Sequence, residues 1–555
     1  MMRTSILLTI AVLFGVATSA RADSHTATSK SGLVVSVSPP ATDVGVEILK
    51  RGGNAVDAAI AVGFAEAVTW PEAGNIGGGG FMLVYPGGGK EPVVFDFRET
   101  APAAATKDLF ANGVDFHSVK TAGVPGTVRG FELAHKRFGK LPWKDLVAPA
   151  IKFAEDGFPV TDGLAKSLNR VLDDRKTSNA EFRRIFGQSE KWKAGDVLKQ
   201  PDLAKALKAV AEKGSAGFYT GDVAEKIAAE MKASGGLITL DDLKKYEAKE
   251  RKPIHGTYRG FDVYAPPPPS SGGITLMLML NMLESHDVKA HPWSSSETTH
   301  LVAEAMRRAF CERAKYLGDP DFVKIPDHLT SKDHARKLLA TFDPAKATKS
   351  ESLAPEIEVK DGGTETTHYS IIDRDGMAVS NTYTLENSFG CKVMVRGAGF
   401  ILNNEMTDFN PKPGITTKAG GIGTEPNLIA PGKRMLSSMC PTILAKDGKP
   451  VLITGSPGGR TIINTVATIV VNTVDYGADA RTAVDAPRMH MQWFPDRISL
   501  EDRPGFDELA KVLKAKGHTV TKARQGDGHT IHIDPKTGVR TGAADKRLDG
   551  KASGE

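Results

Sequence analysis

The stretch "HYSIIDRDGMAVSNTYTL", residues 368–385, constrains the fold more than any other part of this chain. Two runs of alternating apolar residues flank a turn at Asp373 to Gly376, which is the pattern of a β-hairpin. Side chains that alternate with period two need a layer on each face, so the hairpin demands a sheet with a core on at least one side. A second copy of the tripeptide that opens it, "TTH" at Thr298, Thr299 and His300, is followed instead by Leu301, Val302, Ala305, Met306, Ala309 and Phe310 at helical spacing. That copy reads as a helix entrance.

Immediately before the hairpin lies "ATKSESLAPEIEVKDGGTE", residues 347–365, polar, rich in acids and glycine, and without periodicity. Ahead of this break the chain mixes strands (Phe81 to Tyr85, Val93 to Phe97) with amphipathic helices (Thr42 to Lys50, Val223 to Lys232). Behind it strands dominate: Met377 to Leu385, Thr442 to Ala445 and Val451 to Gly455, with one long apolar helix at Ile462 to Val474. The mixture predicts an α/β or α+β protein with a large core. Neither a repeat of fixed period nor a Pro- or Ser-rich linker divides the 555 residues.

Only Cys311, Cys391 and Cys440 are present. An odd count of three cannot form a disulfide framework, so packing must supply the stability. The chain opens with "MMRTSILLTIAVLFGVATSARADS": a basic start, an apolar run from Ile6 to Ala17, then Ala20-Arg21-Ala22. This reads as a secretory signal cleaved after Ala22. The competing reading, a membrane anchor, needs roughly 20 apolar residues, which the run does not reach. The expected product is an exported protein, periplasmic in a Gram-negative source. The formal net charge of +5 shrinks when Arg3 and Arg21 leave with the signal. Nothing in that near-neutral balance points to a nucleic-acid or membrane-surface partner.

Several motifs carry two readings each. "NIGGGGFMLVY" and "GSPGGRTII" are glycine-rich, but neither has the Gly-Lys-Ser/Thr of a phosphate loop nor a dinucleotide fingerprint. Gly458 and Gly459 precede an apolar helix: their N–H groups could face an anion or a developing oxyanion, or they could make a tight turn at positive φ. Ser437 and Ser438 lack a Gly-x-Ser-x-Gly elbow, and suit carboxylate binding or helix capping as well as nucleophilic attack. His529 and His532 stand three apart in an alternating run, hence on opposite faces, and make a poor metal pair. "PPPPSSGG" at 266–273 carries no chemistry by composition. Thr366 either begins a strand or is a nucleophile. The second option needs a base, and a threonine freed at its own N-terminus has one in its α-amine. It therefore demands a cut between Glu365 and Thr366.

"TTHYSIID", "NTYTLENSFG", "ILNNEMTDF", "KRMLSSMCPT" and "TGSPGGRTII", in this order, resemble the γ-glutamyltransferases. The resemblance continues upstream through "GGNAVDAAIAVGFAEAV", "NIGGGGFMLVY", "FDFRETAP", "GVPGTVRGFELAHKRFGKLPW" and "PPPPSSGG", so it covers nearly all of the mature chain. It implies an α+β fold: the four-layer αββα sandwich of an N-terminal-nucleophile hydrolase. A precursor cuts itself and both fragments stay together, here 23–365 and 366–555. It further implies Thr366 as nucleophile, Thr384 as its hydrogen-bond partner, and Gly458 and Gly459 as the oxyanion hole. Arg98 would grip the substrate α-carboxylate with help from Ser437 and Ser438, while Glu405 and Asp408 would hold the α-ammonium. Glu386 stands where many relatives carry asparagine and others glutamate, and it can still accept a bond from an ammonium. Ala419 stands where some members place a lid tyrosine. The implied activity moves the γ-glutamyl group of glutathione or a related donor to water, an amino acid or a dipeptide, with no cofactor and no metal. Two alternatives remain: a cephalosporin-acylase-like amidase on the same scaffold, and a silent binding protein for γ-glutamyl peptides. Cys391, just after the hairpin, finds no role.

Overall fold

The computed structural model describes residues 24–174, 178–357, 367–418 and 420–555. Residues 1–22, read above as a signal, the bond between Glu365 and Thr366, and Ala419 lie outside the described residues.

Two seven-stranded sheets dominate, and all their neighbouring strands run antiparallel. The first has the order Lys551–Gly554, Leu33–Ser36, Thr367–Ile372, Ala378–Thr384, Gly79–Tyr85, Val93–Asp96, Lys249–Arg251. The second runs Thr26–Ser29, Arg540–Ala544, His529–Ile533, Lys449–Thr454, Thr442–Lys446, Phe261–Ala265, Ile254–Tyr258. The expected hairpin forms at the centre of the first sheet, with Ile372 opposite Ala378 and Thr367 opposite Tyr383.

Alternation along the strands explains the layering. Val34, Met82, Val84, Tyr369, Ile371, Val379 and Tyr383 join one apolar cluster, with the helices Pro39–Lys50 and Ala55–Thr69. Their strand neighbours Leu33, Val35, Phe81, Leu83 and Ile372 join the other, with Val263, Ile443, Ile453 and Ile531 of the second sheet. Beyond that sheet the helices Gly272–Glu284, Ser296–Tyr316 and Thr461–Val474 complete the cluster. Period-two side chains thus fill a helix–sheet core on one face and a sheet–sheet core on the other, giving the αββα order.

The helix Ala55–Thr69 is buried along its whole length, so it needs no polar face. Asn54 and Asp57 close its first turn as a reciprocal capping box, and Tyr369 reaches across to donate to Ala59 O at 2.8 Å. The second "TTH" begins the helix Ser296–Tyr316, where Ser295 Oγ accepts the Thr298 N–H at 3.2 Å. All three cysteines are unpaired and buried, and burial pushes each thiol up to about 12. Cys391 packs in the first cluster with its Sγ 3.4 Å from Leu402 O, as a small apolar side chain would. Among the described residues no helix is long and apolar enough to cross a membrane.

Candidate active site

One small concavity at the end of the sheets is lined by Arg98, Glu386, Asp408, Ser437, Ser438, Met439, Gly459 and Arg460. These residues come from distant parts of the chain, and each is placed by a local device. Arg98 follows the strand Val93–Asp96; its N–H binds Asp96 Oδ1 at 3.0 Å and its carbonyl accepts from Tyr246 Oη at 2.9 Å. The side chain is fully buried. Its Nε donates to Met435 O at 3.2 Å, its Nη1 to Glu405 and its Nη2 to Asp408.

The arginine is therefore paired with both acids at once. A lone buried guanidinium would be prohibitively costly, and only such pairing makes the position tolerable. Glu99 adds a further carboxylate 3.7 Å from Arg98 Nη1, and neither of its oxygens has a hydrogen-bond partner among the described residues. Burial pushes Glu405 up to about 8 and Glu99 well above the usual carboxylate range. Burial would lower Arg98, but Glu405 and then Asp408 outweigh it, so the guanidinium holds its proton more tightly than usual.

Thr384 ends the central strand opposite Gly79. Its carbonyl accepts from Asn75 Nδ2 at 2.9 Å, and its hydroxyl accepts the Glu386 N–H at 2.9 Å. Glu386 adopts φ 76°, a conformation that side chains avoid unless the surroundings impose it. The stretch "NIGGGG" is explained here: a Cβ on Gly78 would lie 1.9 Å from Thr384 O. Its glycines permit backbone to touch backbone; they cradle no phosphate.

Gly458 and Gly459 have φ of 125° and 56°, then the helix Thr461–Val474 begins. The turn reading is observed, since both positions lie where glycine is favoured; among the described residues neither N–H donates a hydrogen bond. Arg460, next in sequence, is anchored by Nη1 to Gly420 O at 2.5 Å.

Ser437 and Ser438 are set by "PPPPSSGG", which reverses the expectation drawn from composition. Ser437 N donates to Pro269 O at 2.8 Å, and Ser271 N and Oγ both donate to Ser437 O, at 2.8 and 2.6 Å. Ser270 Oγ donates to Met439 O at 2.5 Å. From the helix Ser296–Tyr316, Arg313 donates through Nε to Ser271 Oγ at 2.8 Å and through Nη2 to Ser438 Oγ at 3.1 Å. Burial, with Arg460 nearby, pushes Arg313 down to about 9. The proline-rich turn is thus the template on which the serine pair is laid. Arg313, Arg460, Ser271, Asn75 and Glu99 are the site residues that sequence reasoning missed. Two of them flank residues it named: Arg460 follows the glycine pair and Glu99 follows Arg98.

His529 and His532 do not share a site: His529 is fully buried with Nε2 2.9 Å from Asp527, while His532 is partly exposed. A different histidine stands two residues after the expected nucleophile in the sequence. His368 is fully buried, with Nδ1 2.7 Å from Thr382 Oγ1 and Nε2 3.1 Å from Ser370 Oγ. Ser370 spends its own proton on His529 O at 2.8 Å, so His368 must donate from Nε2 and accept at Nδ1. Burial holds its pKa well below the usual imidazole range, which keeps it neutral.

Comparison with known proteins follows the same lines. A family model described as Gamma-glutamyltranspeptidase matches residues 41–555. The chain is similar to the glutathione hydrolase proenzyme of Escherichia coli (strain K12), with 46% identity over 536 residues that span 94% of this chain and 91% of that one. A cephalosporin acylase structure from Bacillus halodurans superimposes with a TM-score of 0.84 at 29% identity, covering 96% of this chain and 97% of the other. The Helicobacter pylori gamma-glutamyltranspeptidase structure gives 0.56 at 42% identity, over 58% of this chain and 94% of its own. The chain belongs to the gamma-glutamyltranspeptidase family, and its sandwich is of the N-terminal-nucleophile hydrolase type.

Proposed function

We propose that this protein cleaves the γ-glutamyl amide bond of glutathione and related compounds through an acyl-enzyme on Thr366. The carrying observation is the juxtaposition, in one concavity, of the Arg98 guanidinium with Glu386 and Asp408, the serine pair Ser437 and Ser438, and Gly459, with Glu405 bonded to Arg98 behind them. An amino-acid head group carries a carboxylate and an ammonium together. Such a zwitterion can replace the internal pairing without leaving a charge buried alone: its carboxylate goes to Arg98, Ser437 and Ser438, and its ammonium to Asp408, Glu405 and Glu386.

The chemistry begins when the bond between Glu365 and Thr366 is cut, giving fragments 23–365 and 366–555 that remain together as a heterodimer. The freed α-amine, with an ordinary pKa of about 7.7–8.0, takes the proton of Thr366 Oγ as that oxygen attacks the γ-carbonyl. Thr384, one residue beyond the last register pair Thr367–Tyr383, serves as the hydrogen-bond partner of the nucleophile. The N–H groups of Gly458 and Gly459 stabilise the oxyanion, where loss of one such donor costs about 3–4 kcal/mol. The amine passes its proton to the leaving nitrogen, the C–N bond breaks, and a γ-glutamyl ester remains. Water, or the amine of an amino acid or dipeptide, then attacks the ester and regenerates Thr366. The amino-terminal leader supports export, to the periplasm in a Gram-negative source, which fractionation of the producing cell would check.

A denaturing gel tests the central step. The wild-type protein should give two bands and turn over a chromogenic γ-glutamyl amide, whereas Thr366→Ala should stay whole and inactive. An intact wild-type chain that still turns over substrate would refute the mechanism; bound γ-glutamyl peptide with no turnover, in a chain that need not be cut, would mark a binding protein. The likeness to a cephalosporin acylase supports a second reading, removal of a glutaryl side chain. A glutaryl group has no ammonium, so the acids beside Arg98 favour the amino-acid substrate.

A further inference from the structure

We infer that Glu312, His328 and His334 form a binding site for a borderline divalent cation such as Zn²⁺, separate from the catalytic concavity. Each offers one ligand atom, and these atoms lie within 4.8 Å of one another. They come from three consecutive elements: Glu312 from the helix Ser296–Tyr316, His328 from the 3₁₀ turn Asp327–Thr330, and His334 from the helix Lys332–Leu339. Two imidazoles and one carboxylate, with a side open to solvent, make a donor set that zinc accepts with water as fourth ligand.

The geometry is close to what an ion needs. His334 Nε2 lies 2.8 Å from Glu312 Oε2, sharing a proton that a metal would displace. Zinc bonds of about 2.0–2.2 Å in a tetrahedron set ligand atoms roughly 3.4 Å apart, so a sub-ångström opening of this pair suffices. The His328 ring stands 4.5 Å from the His334 ring at 72°, braced on its other side by Tyr316. Among the described residues its nitrogens make no hydrogen bond. The backbone beneath is already fixed: Leu329 is buried, Thr330 O accepts from Asn281 Nδ2 at 2.9 Å, and Ser331 caps the following helix at His334 N.

Nearby cations do not compete, because each is matched elsewhere: Lys332 to Glu284, Arg336 to Asp333 and Lys315 to Glu356. A second cluster of similar composition, His300, Glu304 and His518, fails on this point. There Arg307 and Arg308 hold Glu304, Arg307 also reaches His518 Nδ1, and the two imidazoles already bond one another at 2.7 Å. At the proposed site an ion would clamp the end of the Ser296–Tyr316 helix. Arg313, next to Glu312, reaches from that end to Ser271 and Ser438.

The test uses the purified protein after chelation and dialysis. Titration with Co²⁺ should produce visible d–d absorption at one ion per chain, and Zn²⁺ should displace it. His328→Ala, a change at an exposed side chain that leaves the fold intact, and His334→Ala should each weaken binding by about tenfold or more. Stoichiometric binding that is unchanged in His328→Ala, or absence of binding to the wild type, overturns the assignment. All three ligands precede position 366, so cleaved and Thr366→Ala uncleaved protein should bind alike; binding confined to one of them also overturns it.

Discussion

Thr384 Oγ1 accepts the backbone N–H of Glu386 at 2.9 Å, and Glu386 itself lies at positive φ. The bond uses the acceptor side of the hydroxyl and leaves its proton available, which the proposed mechanism assigns to the nucleophile. Thr384→Ser should therefore retain most activity. Thr384→Val should lower kcat by about tenfold or more, the worth of one hydrogen bond made to a charged or reacting group. Steady-state kinetics on a γ-glutamyl amide would show the difference, and a valine variant as active as the serine one would remove Thr384 from the mechanism.

Arg98 should prove irreplaceable by lysine. A point charge cannot span Glu405 and Asp408 as the planar fork does, so Arg98→Lys should raise KM by one to two orders of magnitude. Arg98→Met leaves Asp408 without its cation and Glu405 without its donor, and should cost about 3–5 kcal/mol of stability. Arg98→Met combined with Glu405→Gln should recover part of the loss in a denaturant titration.

Asp408→Asn separates the two acylase readings. The change should weaken a γ-glutamyl amide substantially and a glutaryl amide little, because only the first presents an ammonium. Comparable losses on both, in side-by-side kcat/KM measurements, would mean that Asp408 acts through Arg98 alone.

The raised Glu405 implies a direction for stability against pH. Its carboxyl is protonated in the folded protein up to about 8, whereas in the unfolded chain it ionises near the ordinary value of 4.5. Between those limits the folded state binds the extra proton, so stability falls as pH rises. Glu405→Gln should show a shallower decline in Tm from pH 5 to 8 than the wild type, by scanning calorimetry in matched buffers.

Gly455 should tolerate no side chain. A Cβ there would meet three atoms of the His368 imidazole at 2.2 to 2.6 Å, and both partners of that ring are fixed. Gly455→Ala should cost about 1–3 kcal/mol by overpacking and slow the appearance of the two bands. A variant that melts and matures as the wild type does would show that His368 has room to move.

The hairpin at 368–385 and the helices read at Thr42–Lys50, Val223–Lys232 and Ile462–Val474 were legible in the sequence because their signals are local: period two, period 3.6, and turn residues between. Ala55–Thr69 and Gly272–Glu284, by contrast, are buried almost throughout and show no polar face to read. Even the helical copy of "TTH" could be told from its strand copy by what followed it. The strand order was not legible, since Leu33–Ser36 pairs with Thr367–Ile372 across more than three hundred residues and no local pattern encodes that register. The same reason hid Ser271 and Arg313. Their meaning arises only when "PPPPSSGG" is laid beside Ser437, a pairing that composition cannot announce.

The first sheet places Leu33–Ser36 between Lys551–Gly554 and Thr367–Ile372, and sets Ala378–Thr384 against Gly79–Tyr85. A strand from ahead of position 366 is thus sandwiched by two from behind it. Cutting the chain there would change its connectivity but not its mechanical continuity, since separation would require unzipping a shared sheet along several ladders at once. The matured protein should travel through a sizing column as one particle. Its two halves, made in different cells, should each lack the neighbours that give their strands an edge to grow on, and should become soluble only when synthesised together.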